Sequence, residues 1–138
     1  MNGGLNDHKG ETMRRYETIF IIRPNLGEDE INAIIERTSG IITNFTGTTL
    51  NVDKWGVKKL AYLVKKENQG FYVYYEYAGT PEAVAEIERL SRIDDKIMKY
   101  LTVKTQEAYV PDPPGGKRIA KTASFVDEDE GGGRDYHR

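Results

Sequence analysis

Residues 48–77 read TTLNVDKWGVKKLAYLVKKENQGFYVYYEY, and this stretch decides the fold. Strand-forming residues run from Thr48 to Val64 and again from Phe71 to Tyr77, and the polar segment KKENQG at 65–70 separates them, so the pair reads as a hairpin. Gly56 sits mid-strand, where a bulge or bend is easiest, and 48–64 therefore reads as one long, bent strand. Side chains alternate between the two faces of a strand. Glu76 avoids a core, which puts Tyr72 and Tyr74 beside it on the outer face and leaves Phe71, Val73, Tyr75 and Tyr77 for the covered side.

The flanking segments complete the pattern. Upstream, RRYETIFII at 14–22 is a strand that stops before Pro24, with Tyr16, Thr18, Phe20 and Ile22 on the core side and Glu17, Ile19 and Ile21 opposite. Gly27 followed by Glu28, Asp29 and Glu30 opens a helix, because carboxylates in a first turn meet the positive end of the helix dipole. Ile31, Ile34, Ile35, Ile41, Ile42 and Phe45 then form an apolar stripe, and Gly47 supplies a stop. Downstream, Thr80, Pro81 and Glu82 combine a capping hydroxyl, a first-turn proline and an acid. Ala83, Val84, Ile87 and Leu90 form the stripe of this second helix, which ends near Ile93 and Asp94. IMKYLTVK at 97–104 is the last strand, and alternation leaves its faces open. The order β, α, β, β, α, β predicts an α+β, ferredoxin-like arrangement: a four-stranded antiparallel sheet with two helices on one face and the other face open. Residues 13–107 form this domain, 1–12 read as a flexible leader, and 108–138, with PDPPGG and DEDEGGG, as a disordered tail.

Composition narrows the function. The chain has 138 residues, 38% hydrophobic and 30% charged, the size and make-up of a single soluble domain. No apolar run approaches the length of a membrane helix, and no secretory signal opens the chain, so the expectation is a cytoplasmic protein without membrane contact. With no cysteine, and with His8 and His137 both near the ends, the residues that most catalytic and metal sites depend on are missing from the ordered part. No enzyme, catalytic residue, metal, cofactor or small-molecule substrate is expected. The net charge of −2 hides an uneven distribution, since Lys and Arg nearly balance Asp and Glu between Met13 and Lys104.

Two features carry the expected function. The open sheet face presents Ile19, Ile21, Tyr72 and Tyr74 as a docking platform, on which RNA bases stack or a protein partner packs. Basic clusters flank the sheet: Arg14 and Arg15; Lys54, Lys58 and Lys59 around Gly56; Lys65 and Lys66 in the hairpin turn; Arg89, Arg92, Lys96, Lys99 and Lys104 toward the end. These are candidates for phosphate contact. QGFYVYY at 69–75 compares poorly with the RNA-recognition motif, because Gln69 and Tyr72 stand where that signature wants a basic and a small residue. GGKR at 115–118 lacks the first glycine and the final hydroxyl of a phosphate loop. The acidic run 127–130 reads as solvated tail. Among other classes, a ferredoxin-like metabolite-binding domain lacks supporting residues, whereas a protein-dimerisation module fits an edge strand and an apolar face as well.

Together, RRYETIFII, KWGVKKLAYLVKKENQGFYVYY and ERLSRIDDKIMKYLTVKTQE resemble the bacterial small-subunit ribosomal protein six family over residues 13 to about 107. GVKKLAYLV at 56–64 is the most telling segment. Leu63 stands where many members have proline, and Val64 replaces a frequent isoleucine. The resemblance implies a non-enzymatic constituent of the small ribosomal subunit. It also implies binding to the central domain of the small-subunit ribosomal RNA, together with small-subunit ribosomal protein eighteen, with the open sheet and its edge shared between the two.

Overall fold

The computed structural model describes residues 12–113. The expected leader before residue 12, both histidines, the GGKR segment and the acidic run lie outside these residues. The elements are β1 (Arg14–Ile22), α1 (Glu28–Asn44), β2 (Thr48–Val64), β3 (Glu67–Gly79), α2 (Pro81–Ile93) and β4 (Ile97–Gln106). The antiparallel sheet has the order β2-β3-β1-β4, so the ferredoxin-like reading holds, with β2 and β4 as edges.

Local chemistry fixes both helix starts. At α1 the Gly27 N–H donates to Glu30 Oε1 at 3.1 Å, and Glu28, Asp29 and Glu30 fill the first turn. At α2 the Thr80 hydroxyl accepts from the Ala83 N–H at 3.3 Å, and Pro81 opens the helix. Both helices pack on one sheet face. Ile31, Ile34, Ile41, Ile42 and Ile87 join Tyr16, Phe20, Ile22, Val73, Tyr75, Tyr77 and Ile97 in one core, with Ile35, Phe45, Phe71, Val84 and Leu90 at its margin. Thr18 sits within this layer and bonds both Tyr77 Oη at 3.0 Å and Thr102 Oγ1 at 2.8 Å. Burial pushes the Tyr77 phenol well above its ordinary pKa.

The other face is not open. Ile19, Ile21, Tyr72 and Tyr74 point to it as alternation requires, but they are 0, 1, 0 and 5% exposed and form a second apolar cluster with Leu60 and Met98, edged by Trp55 and Val64. The reason is strand length. β2 spans 17 residues against 9 in β1, so the hairpin outruns the sheet as an arm. Gly56, at φ 91°, is the expected irregularity, and Trp55 beside it stacks on Tyr74 with ring centroids 5.3 Å apart. A larger irregularity follows. Between Lys59↔Gln69 and Val64↔Glu67, residues 60–63 face only Asn68, and this excess bends the arm. The arm crosses the second face, because Tyr62 of β2 accepts from Lys99 Nζ at 3.3 Å although β3 and β1 lie between their strands. Gly70 permits the close packing: a Cβ there would lie 2.4 Å from Ile21 Cγ2.

Residues 108–113, assigned by composition to the tail, are described and docked. The Tyr109 N–H donates to Met13 O at 2.7 Å, and Val110 O and Asp112 accept from Arg15. Residues 114–138 lie outside the described part.

Candidate nucleic-acid interface

The structure sorts the basic candidates by what surrounds them. Arg15 is the clearest correction: it is 3% exposed, and its guanidinium is used internally. Nε donates to Glu76 at 2.8 Å, Nη2 to Asp112 at 2.9 Å and Nη1 to Val110 O at 3.0 Å, while the Tyr109 ring lies 5.3 Å from its centre. A cation so buried and bonded is not offered to a phosphate. It shares the second face with Glu17 and Glu76, which are opposite each other across β1 and β3 and both buried. Its neighbours at this end of the sheet are also paired. Arg14 Nε lies 3.9 Å from Glu107, and Lys104 Nζ lies 2.8 Å from the same carboxylate. Lys104 holds the Glu107 carboxyl below its ordinary pKa through a direct hydrogen bond.

Three further candidates are paired. Lys54 reaches Glu28 at 3.1 Å, and Arg89 makes a two-pronged contact with Glu86 at 2.8 and 3.0 Å on the outer surface of α2. Lys96 lies 3.9 Å from Asp94, whose other oxygen is 3.0 Å from Arg37. Exposed pairs of this kind contribute little to stability, and they lower the local positive potential.

The remaining candidates gather around the arm. Lys58 and Lys59 lie on the β2 edge opposite Gly70 and Gln69, and Lys59 is exposed. Lys65 and Lys66 form the two-residue turn, both at positive φ, 50° and 71°, and both exposed. Because the arm crosses the sheet, its tip meets the end of α2 and the start of β4. There Lys65, Arg92 and Lys99 line one open cavity with Ser91, Ile97, Met98 and Tyr100. Arg92 Nη1 donates to Tyr100 Oη at 3.3 Å. Among the described residues, Lys59, Lys65, Lys66 and Arg92 have no carboxylate partner. The structure thus brings Lys58, Lys59, Arg92 and Lys99 to one end of the sheet and separates them from Arg14, Arg15 and Lys104 at the other.

The sequence names Lys65 and Lys66 among the basic clusters and gives no role to Tyr62 or Tyr100. The lysine pair was visible in the turn, but the tyrosine contacts depend on the bent arm and on the α2–β4 junction. The four proposed docking residues, Ile19, Ile21, Tyr72 and Tyr74, are not a surface as they stand. The exposed large apolar side chains on the arm are instead Val57, Tyr62 and Leu63. No set of three or more His, Cys, Asp or Glu suited to a metal occurs among the described residues, and none of their helices is long and apolar enough to cross a membrane.

Residues 15–104 match the family described as Ribosomal protein S6. The chain is 39% identical over 118 residues to the small ribosomal subunit protein bS6 of Syntrophobacter fumaroxidans, an alignment covering 86% of this chain and 80% of that relative. It is 42% identical over 100 residues to the bS6 protein of Solidesulfovibrio magneticus, covering 72% of this chain and 98% of the relative. Among solved structures, the crystal structure of 30S ribosomal protein S6 from Thermotoga maritima is similar at a TM-score of 0.63 and 32% identity, over 67% of this chain and 88% of that one.

Proposed function

The chain belongs to the ribosomal protein S6 family, and on that premise we propose that it binds the central domain of the small-subunit ribosomal RNA in company with small-subunit ribosomal protein eighteen. The family is structural and non-enzymatic, a constituent of the small ribosomal subunit, which in bacteria is a cytoplasmic assembly. The observation that carries the RNA reading is the arm, whose edge and tip hold Lys58, Lys59, Lys65 and Lys66 and whose fold brings Arg92 and Lys99 beside them. Phosphate binding rewards cations that are exposed and grouped, because each contact releases condensed counterions. The basic residues Arg14, Lys54, Arg89, Lys96 and Lys104 belong to this reading as secondary contacts, since each must exchange a carboxylate for a phosphate.

The protein partner is assigned to the arm's exposed apolar side chains and to the β2 edge, where Val57, Tyr62 and Leu63 offer aromatic and aliphatic anchors. Ile19, Ile21, Tyr72 and Tyr74 support that surface from beneath and reach a partner only if the arm lifts.

The test is equilibrium binding of the full chain to a central-domain transcript, with and without protein eighteen, across a salt series. The expected result is binding that requires the partner protein and falls steeply as salt rises. Equal binding without the partner, or affinity insensitive to salt, overturns the reading.

A further inference from the structure

The cavity between the arm tip, the end of α2 and the start of β4 has a volume of about 260 Å³. That is far more room than a single ordered water needs. Its walls differ in chemistry. Ile97 and Met98, both nearly buried, line it at the start of β4, and Lys65, Arg92 and Lys99 line it from the hairpin turn, α2 and β4. None of Glu67, Asp94 and Asp95, the carboxylates nearest in sequence, lines it: Asp94 is drawn off by Arg37 at 3.0 Å and Glu67 lies 3.4 Å from Arg23.

Arg92 is held in place. Its Nη1 donates to Tyr100 Oη, and Tyr100 packs against the helix-covered core, so the guanidinium stands at the rim with its remaining N–H groups unused among the described residues. A guanidinium fixed by one bond presents its fork to an anion at lower entropic cost than a free side chain does. Lys65, in the hairpin turn, also lines the cavity, and it sits at φ 50°, a conformation that lysine disfavours. Arg92 also neutralises the negative end of α2, which would otherwise repel an anion there.

We propose that this cavity is a subsite for one nucleotide of single-stranded RNA. Its backbone phosphate lies between Lys65, Arg92 and Lys99, and its sugar lies against the start of β4. The inference rests on the RNA-binding reading above and deepens it, because it commits one phosphate to one place. An arm whose tip closes over a nucleotide also ties RNA binding to the arm's position.

The experiment compares the full chain with a Lys65→Gln, Arg92→Gln double variant, both with protein eighteen and a central-domain transcript carrying photoactivatable thiouridine. The variant is expected to keep the urea midpoint of the parent and to bind about tenfold more weakly. The slope of log affinity against log salt should be shallower by roughly one, the signature of a single lost phosphate. In the parent, photoproducts should map to residues 91–100. Lys65→Arg with Arg92 intact should retain the parent affinity and slope. If the parent binds but the double variant matches it in affinity and slope, the cavity proposal falls and the RNA reading stands. If the parent itself does not bind the transcript with its partner, the RNA reading falls. Photoproducts confined to other segments also overturn the cavity.

Discussion

The two ends of the sheet carry similar basic side chains in different electrostatic states. Where β1 begins, Arg14, Arg15 and Lys104 meet Glu76, Glu107 and Asp112, and the chain after β4 returns to seal the contact. At the far end, Lys59, Lys65, Lys66 and Arg92 have no carboxylate among the described residues. The difference teaches that a count of Lys and Arg locates cations but not available charge. One end uses its charges to hold itself together, and the other leaves several of them exposed and unpaired with any described carboxylate.

The sharpest way to break the contrast is to remove Arg15. Its loss breaks the buried ion pair with Glu76, which costs about 3 kcal/mol or more. Urea denaturation of Arg15→Met should register that loss, while RNA affinity per folded molecule stays within about twofold. A stable variant with impaired RNA binding would move Arg15 to the binding surface and erase the distinction. The converse change is Lys58→Glu with Lys59→Glu on the arm edge. Assembly with RNA and protein eighteen should weaken by at least about tenfold, or roughly 1.4 kcal/mol, at an unchanged urea midpoint. Unaltered assembly would remove both residues from the interface. A smaller effect is expected from Asp112→Asn, which removes one of Arg15's partners at a site 39% exposed. Screening limits that cost to about 1 kcal/mol, read as a lower midpoint with RNA affinity retained.

The fold was legible because its signals are local. Alternation through Tyr16–Ile22 and Phe71–Tyr77 assigned both faces of the central strands, and the helix starts at Gly27 and Thr80 have short-range chemistry. Exposure was not legible. The same alternation that aims Tyr72 and Tyr74 away from the helices is silent on whether an arm lies over them, and a bulge at 60–63 has no dedicated residue signature. One clue was present in the strand lengths, since β2, at 17 residues, cannot pair along its whole length with its neighbour β3, at 13. Ion pairing was the least legible, because the partners of Arg15 stand 61 and 97 positions away. The grouping of Lys65 with Arg92 likewise depends on where the bent arm ends.

The arm tip supplies the finest test of the contrast, because it sets local strain against charge. A two-residue hairpin turn with both residues at positive φ favours Asn-Gly, yet here it holds Lys65 and Lys66 at 50° and 71°. Neither lysine gains an ion pair among the described residues from sitting there. Lys65→Asn with Lys66→Gly should therefore raise stability by about 0.5 kcal/mol, seen as a slightly higher urea midpoint. The same variant should bind the central-domain transcript more weakly, since two cations leave the tip. Opposite signs for stability and affinity would mark the tip as kept basic for its ligand at some cost in conformational preference. If both quantities fell together, the lysines would be structural, and the far end of the sheet would resemble the sealed one.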